Sequence, residues 1–139
     1  MRVAIIGPDW PDEGYDYVVR LLPVGVRARG WGYEPDTKAA IAWLEDKVKP
    51  RMTVCDIGTG TGLLALVAAR LGAVVTAYEQ VEAVRHIAAE NFALNKVHIV
   101  LGAEYDKANG FDLVVANLGD VDYDEMGILK AGTEVWTSG

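Results

Sequence analysis

Cysteine is almost missing from this sequence: Cys55 stands alone among 139 residues, so no intrachain disulfide can close, and a reducing compartment suits such a chain. Its apolar neighbours make Cys55 a small buried strand residue rather than a nucleophile. Histidine is nearly as scarce. His86 and His98 have no acidic or cysteine partners at ligand spacing, so no metal site is expected, only packing or solvent. Long apolar runs are absent too, because the longest uncharged one, residues 62–69, is far short of the roughly 20 needed to span a bilayer. Only four apolar residues follow Arg2 before Gly7-Pro8, too few for a signal-peptide core, which places the chain in the cytoplasm, away from membranes. Positive charge is in deficit, with 13 Lys and Arg against 20 Asp and Glu and a net charge of −7. The basic residues form no run: Arg27 and Arg29 alternate with others, and Lys47, Lys49 and Arg51 sit near a helix end. A phosphate backbone is repelled by such a surface, so nucleic acid is disfavoured and a basic protein or a small molecule fits better.

What is present is apolar and regularly punctuated. An apolar content of 51% in 139 residues supports a single domain with a proper core. Residues 1–32 read as a leader with one or two short strands, Val3-Ala4-Ile5-Ile6 and the weaker Val24-Gly25-Val26-Arg27-Ala28-Arg29, separated by Pro, Asp and Gly loop chemistry. Residues 33–139 form the core. There a helix follows Pro35, with Asp36 as its N-cap and Ile41, Leu44 and Val48 at helical spacing, until Pro50 stops it. The spacing then predicts strands at 53–57, 73–78, 97–101, 111–116 and 133–137, with helices at 63–71 and 81–94. The second of these helices carries Val84, Ile87, Ala88 and Asn91 on one stripe. Strands that are apolar throughout and alternate with helices imply a Rossmann-like α/β fold, a mostly parallel sheet with helices on both faces. Ligands of such sheets sit beyond the carboxyl ends of the strands.

The segment that carries chemistry is Asp56-Ile57-Gly58-Thr59-Gly60-Thr61-Gly62, directly after a strand and directly before a helix. Glycines at 58, 60 and 62 let the backbone turn and approach a ligand, and the helix start offers unpaired N–H groups to an anionic phosphate or carboxylate. The dinucleotide fingerprint is G-x-G-x-x-G, whereas here the third glycine comes one position early. Glu79, 17 residues past Gly62 with Gln80 beside it, ends the next strand, where a carboxylate can accept both ribose hydroxyls of a nucleoside. Asp56 favours a cationic ligand over a dinucleotide.

These motifs resemble class I S-adenosylmethionine-dependent methyltransferases. The stretch Val54-Cys55-Asp56-Ile57-Gly58-Thr59-Gly60-Thr61-Gly62-Leu63-Leu64 is similar to their first motif. Ala89-Glu90-Asn91-Phe92-Ala93-Leu94-Asn95 is similar to the segment closing their second helix. Phe111-Asp112-Leu113-Val114-Val115-Ala116-Asn117-Leu118 resembles the fourth-strand motif of the ribosomal-protein lysine methyltransferases, and residues 32–37 resemble, with a shortened loop, the segment before their core. The likeness covers about residues 30 to 139. It implies that the loop of Gly58, Thr59, Gly60 and Gly62 holds the methionine part of S-adenosylmethionine and Glu79 the ribose, with Asp56, Gln80 and Asn117 also binding the cofactor. Gly102, Ala103 and Glu104 then face the adenine, and Asn117 stands at the mouth beside the methyl group as the candidate catalytic residue. Two departures stand out. Leu118-Gly119-Asp120 replaces the usual prolines or Asn-Ile pair, and Ala103 replaces a carboxylate that reads the adenine amine, leaving Glu104 as its substitute.

The resemblance further implies methyl transfer to a nitrogen of a protein, lysine-like, with no covalent nucleophile. A cofactor-binding domain without catalytic activity, a fragment of a larger methyltransferase and a dinucleotide-binding oxidoreductase fragment are the competing readings. The acidic cluster Asp120, Asp122, Asp124 and Glu125 reads either as a solvated loop or as an entrance that attracts a cationic amine. Trp10, Trp31, Trp43 and Trp136 read as packing residues. Five strands are expected after Arg51, two fewer than the resemblance implies, so the last one exposes an edge. The leader's strands, a second copy of the chain, or further sequence of a longer parent are the expected covers. The expectation taken forward is that a leader strand adds to the sheet.

Overall fold

The computed structural model describes residues 3–6, 17–20, 35–105, 110–116 and 133–137. The first helix, α1 (Pro35–Lys47), starts on its proline, whose fixed φ and missing N–H suit a first helical position. Asp36 therefore lies inside the first turn, and the expected N-cap there is corrected. Strand and helix then alternate through β3 (Thr53–Ile57), α2 (Leu63–Arg70), β4 (Val74–Tyr78), α3 (Glu82–Leu94) and β5 (Val100–Gly102), and β6 (Leu113–Ala116) and β7 (Glu134–Thr137) follow.

These five strands form one parallel sheet in the order β5-β4-β3-β6-β7. The chain runs outward from β3 through β4 to β5, then crosses back to lay β6 against the other side of β3. The order reverses between β3 and β6, and the crevice beside the ends of these two strands is where such sheets bind ligands. At the opposite end, the Asp112 carboxylate accepts from the Thr53 backbone N–H (2.9 Å) and hydroxyl (3.2 Å), which locks the starts of β3 and β6 together.

Both faces of the sheet are buried, as apolar residues of both parities require. Val54, Val75, Ala77, Leu113 and Val115 join Ala40, Ile41 and Leu44 of α1, the whole apolar run of α2, and Ala88 and Phe92 of α3 in the main core. Trp43 and Trp136, both half-buried, pack against it. Cys55, Ile57, Tyr78, Val114 and Ala116 point the other way and form a second cluster with Tyr105, Phe111 and Val135. Burial, and then the neighbouring Asp56 charge, push the Cys55 thiol well above its ordinary range, which agrees with a packing role.

Two expectations are corrected. The leader strand β1 (Val3–Ile6) pairs in parallel with β2 (Tyr17–Arg20), Val3 opposite Tyr17, as a separate two-stranded sheet rather than extending the main one. β2 lies against α2 and α3. Residues 24–29, the other strand-like run, lie outside the described residues. His98 precedes β5 instead of lying in it, and His86 is exposed on α3 with Nε2 3.8 Å from Glu82 Oε1. Among the described residues no group of His, Cys, Asp and Glu is placed to hold a metal ion, and no helix is long and apolar enough to cross a membrane.

Candidate functional site

The loop after β3 is built on three positive-φ glycines, Gly58 at 69°, Gly60 at 58° and Gly62 at 90°, a conformation that side-chain-bearing residues rarely adopt. The Gly58 and Thr59 N–H groups donate to the Tyr78 carbonyl at 2.9 and 3.0 Å, so the loop is tied to the end of β4. Gly62 donates to the Thr59 carbonyl at 2.8 Å and its own carbonyl begins α2 by accepting from Leu66 at 2.9 Å.

Glu79 follows β4 and completes the arrangement. Its Oε1 accepts the Gly60 N–H and its Oε2 accepts the Val81 N–H, both at 3.1 Å. Glu79 donates its own N–H to the Gly102 carbonyl at 3.0 Å, which brings the end of β5 alongside. Arg85 of α3 holds this turn from outside, donating to the Glu79 carbonyl at 2.8 Å. The sequence separates Gly60, Glu79 and Gly102, but the parallel register gathers them at one end of the sheet. A carboxylate offers about four acceptor sites. With two backbone donors in place, half-buried Glu79 keeps capacity for two hydroxyls.

Asp56 sits deeper, only 1% exposed, with the Thr59 hydroxyl donating to its Oδ2 at 2.7 Å. Burial raises its carboxyl to about 7, against the opposing hydrogen bonds from Thr59 and the Ala65 backbone N–H, while the Glu79 charge raises it further. Through Thr59 this buried carboxylate braces the loop. Gln80 is exposed and its carbonyl accepts a long bond, 3.4 Å, from Arg85. Ala103 and Glu104 are exposed just past β5. A Cβ on Gly102 would come 3.0 Å from the Tyr78 ring, which also meets Tyr105 edge-on at 5.6 Å between centroids. Asn117, next after β6, lies outside the described residues, as do Asp120, Asp122, Asp124 and Glu125.

Two residues bearing on the site escaped the sequence reading. Val81 is the N-cap of α3, half exposed at 50% beside the Glu79 carboxylate. An apolar residue where Ser, Thr, Asp or Asn is preferred was the available signal. Asn91, read as part of an apolar stripe and of the segment closing the second helix but given no role at the site, is fully buried and donates from Nδ2 to the Thr61 carbonyl at 2.7 Å. A carboxamide on a buried stripe needs a partner, and that was its signal.

Comparison with known proteins agrees with this geometry. The family model for ribosomal protein L11 methyltransferase (PrmA) matches residues 2–121, so the likeness extends into the leader. The ribosomal protein L11 methyltransferase of Burkholderia mallei (strain NCTC 10229) is 39% identical over 118 residues, covering 80% of this chain and 38% of that protein. The chain thus spans about two fifths of the length of the curated relatives it matches. The crystal structure of ribosomal protein L11 methylase from Lactobacillus delbrueckii subsp. bulgaricus superposes with a TM-score of 0.71 at 30% identity, covering 99% of this chain and 76% of that one. Magnesium protoporphyrin IX methyltransferase from Synechocystis PCC 6803, solved with bound SAM, superposes with a TM-score of 0.52 at 25% identity over 59% of this chain and 42% of that one. By a family match that takes in the leader, the glycine loop, Glu79 and β6, this chain belongs to the ribosomal protein L11 methyltransferase (PrmA) family.

Proposed function

We propose that this chain binds S-adenosylmethionine at the ends of β3, β4 and β5, and that it serves a methyltransferase acting on an amine nitrogen of a protein substrate, lysine-like, in the cytoplasm. The observation that carries this reading is the contact between the Glu79 carboxylate and the Gly60 N–H, which makes the glycine loop and the acid one constellation. The residues fit the cofactor. Positive-φ glycines bring bare backbone to the methionine end, Glu79 has room for the two ribose hydroxyls, and Val81 offers an apolar surface at 50% exposure for the adenine. Gly102, Ala103 and Glu104, at and just past the end of β5, would help hold the adenine.

When bound, the cofactor supplies a methyl group on a sulfonium that leaves readily as a thioether. The protein's part is therefore placement: holding the methyl carbon in line with a deprotonated amine and excluding water. Asn117 and the acidic residues Asp120, Asp122, Asp124 and Glu125 follow β6 in the sequence. In this reading Asn117 orients the amine, and the acidic cluster draws in a cationic substrate and accepts its proton.

S-adenosylhomocysteine should raise the melting temperature, since a ligand selective for the folded state stabilises it by mass action. No shift at millimolar ligand, with a shift on adding NAD, would sink the reading. Glu79→Ala should weaken this binding by roughly 1.5–3 kcal/mol, the scale of hydrogen bonds to a charged group. Gly60→Val should abolish it, because a β-branched residue resists positive φ and obstructs the ligand's approach to the backbone. Calorimetric titration of the two variants checks both, and unchanged affinity in the pair places the ligand elsewhere.

A further inference from the structure

The loop's remaining arm is held from behind by α3. Asn91 is 0% exposed, and its Nδ2 donates to the Thr61 carbonyl at 2.7 Å. The same peptide group carries the Gly62 N–H, which donates to the Thr59 carbonyl at 2.8 Å. Because a peptide is planar, securing both ends fixes the orientation of the whole unit. The next residue of α3, Phe92, sets its ring against Gly62, where a Cβ would come 2.5 Å from Cε1. Asn91 is itself secured, since Asn95 Nδ2 donates to its backbone carbonyl at 2.7 Å and Arg70 of α2 donates to the Asn95 carbonyl at 3.2 Å.

Resting on the cofactor reading above, we propose that Asn91 is a positioning residue for S-adenosylmethionine binding: it sets the Thr61–Gly62 arm of the loop without touching the ligand. The bonded carbonyl lies between Gly60 and Gly62, where a glycine-rich backbone has little conformational preference of its own. Within the loop, the Thr59 hydroxyl bonds the Asp56 carboxylate at 2.7 Å, but the arm at Thr61 and Gly62 takes its side-chain support from α3. Asn91 supplies that support at the third turn of α3. The turn before α3 supplies a second anchor, through Glu79 on Gly60. The two anchors act on adjacent residues of the loop, Glu79 on the Gly60 N–H and Asn91 on the Thr61 carbonyl. Such preorganisation appears in ligand affinity, because an unanchored loop must be ordered at the moment of binding.

The test compares wild type, Asn91→Leu and Leu44→Ala, each titrated calorimetrically with S-adenosylhomocysteine below its unfolding transition. Leu44 is fully buried in α1 and belongs to the main core rather than to the loop, so Leu44→Ala controls for lost stability. Asn91→Leu should bind about tenfold more weakly or worse, the scale of one or two hydrogen bonds' worth of order. Leu44→Ala should bind like wild type. Equal affinity in Asn91→Leu overturns the proposal, as does an equal loss in both variants. Amide exchange in the ligand-free proteins gives a reading that does not depend on the cofactor. Gly62 should exchange faster in Asn91→Leu relative to Val54 and Val115, and unchanged exchange overturns the positioning role even if wild type ignores the ligand. Should Asn91→Leu not fold, the wild-type Asn91 side-chain amide protons decide. Slow exchange, with resonances that shift on adding S-adenosylhomocysteine, supports the role; free exchange overturns it.

Discussion

Gly62→Ala should lower the stability of the fold by about 2–5 kcal/mol, combining a left-handed backbone penalty of about 1–2 with an overpacking cost of about 1–3. The backbone part follows from a φ of 90°, and the packing part from the Phe92 ring 2.5 Å from the added carbon. The two parts can be separated. In a Phe92→Ala background the ring is gone, so the packing part should vanish while the backbone part remains. Phe92 is only 4% exposed, and its own truncation should cost about 3–5 kcal/mol. The double variant should then lose about 1–3 kcal/mol less than the two single losses added together, a coupling of the size neighbouring residues show. Urea unfolding of the four proteins measures it. Strict additivity would mean that Phe92 yields to the new methyl and that Gly62 is required for its φ alone.

This coupling could not have been read from the chain before its structure was known. The glycine loop itself was legible, because a β-rich run ending in Asp56 and followed by alternating glycines and an Ala/Leu helix has few other solutions. What the loop rests on was not, since Phe92 and Asn91 lie 30 residues away from Gly62 and Thr61. The elements followed the same rule. β3 came out at its expected residues, because an apolar run between Pro50 and Gly58 has clear bounds. β5 did not: Val97-His98-Ile99 has strand composition, but the chain is still leaving α3 there, with Lys96 at a φ of 55° and the Val97 N–H donating to the Phe92 carbonyl at 3.2 Å. Tertiary geometry overrode local propensity. The leader failed for a third reason. Val3–Ile6 is a strand, as its composition says, but its partner Tyr17–Arg20 carries no mark that names β1. Composition indicates that a segment will form a strand; it does not say which strand lies beside it.

Asp56 is a buried carboxyl whose titration reaches the physiological range. In the folded protein it takes up its proton at about pH 7, against 3.8 for the free side chain. Between these values the folded state holds a proton that the unfolded chain has released, so acid favours the fold. The contribution is complete below about pH 4, declines as pH rises, and is exhausted once pH passes the folded value near 7. A shift of this order corresponds to about 4 kcal/mol at 1.36 kcal/mol per unit. Most carboxylates act oppositely, gaining stability with pH. The reversal here comes from burial at 1% exposure with the Glu79 charge nearby, which outweigh the Thr59 hydroxyl and the Ala65 N–H. Urea unfolding at steps from pH 5 to 8 should therefore show stability falling by a few kcal/mol, of the order of the linkage term. Asp56→Asn, which cannot ionise, should flatten the profile over the same range. It also loses one acceptor site for the two loop donors, so its stability at pH 5 should lie below wild type while the two curves converge toward pH 8. Parallel curves for the two proteins would mean that Asp56 is ionised throughout, held by its hydrogen bonds at the start of α2 in spite of its burial.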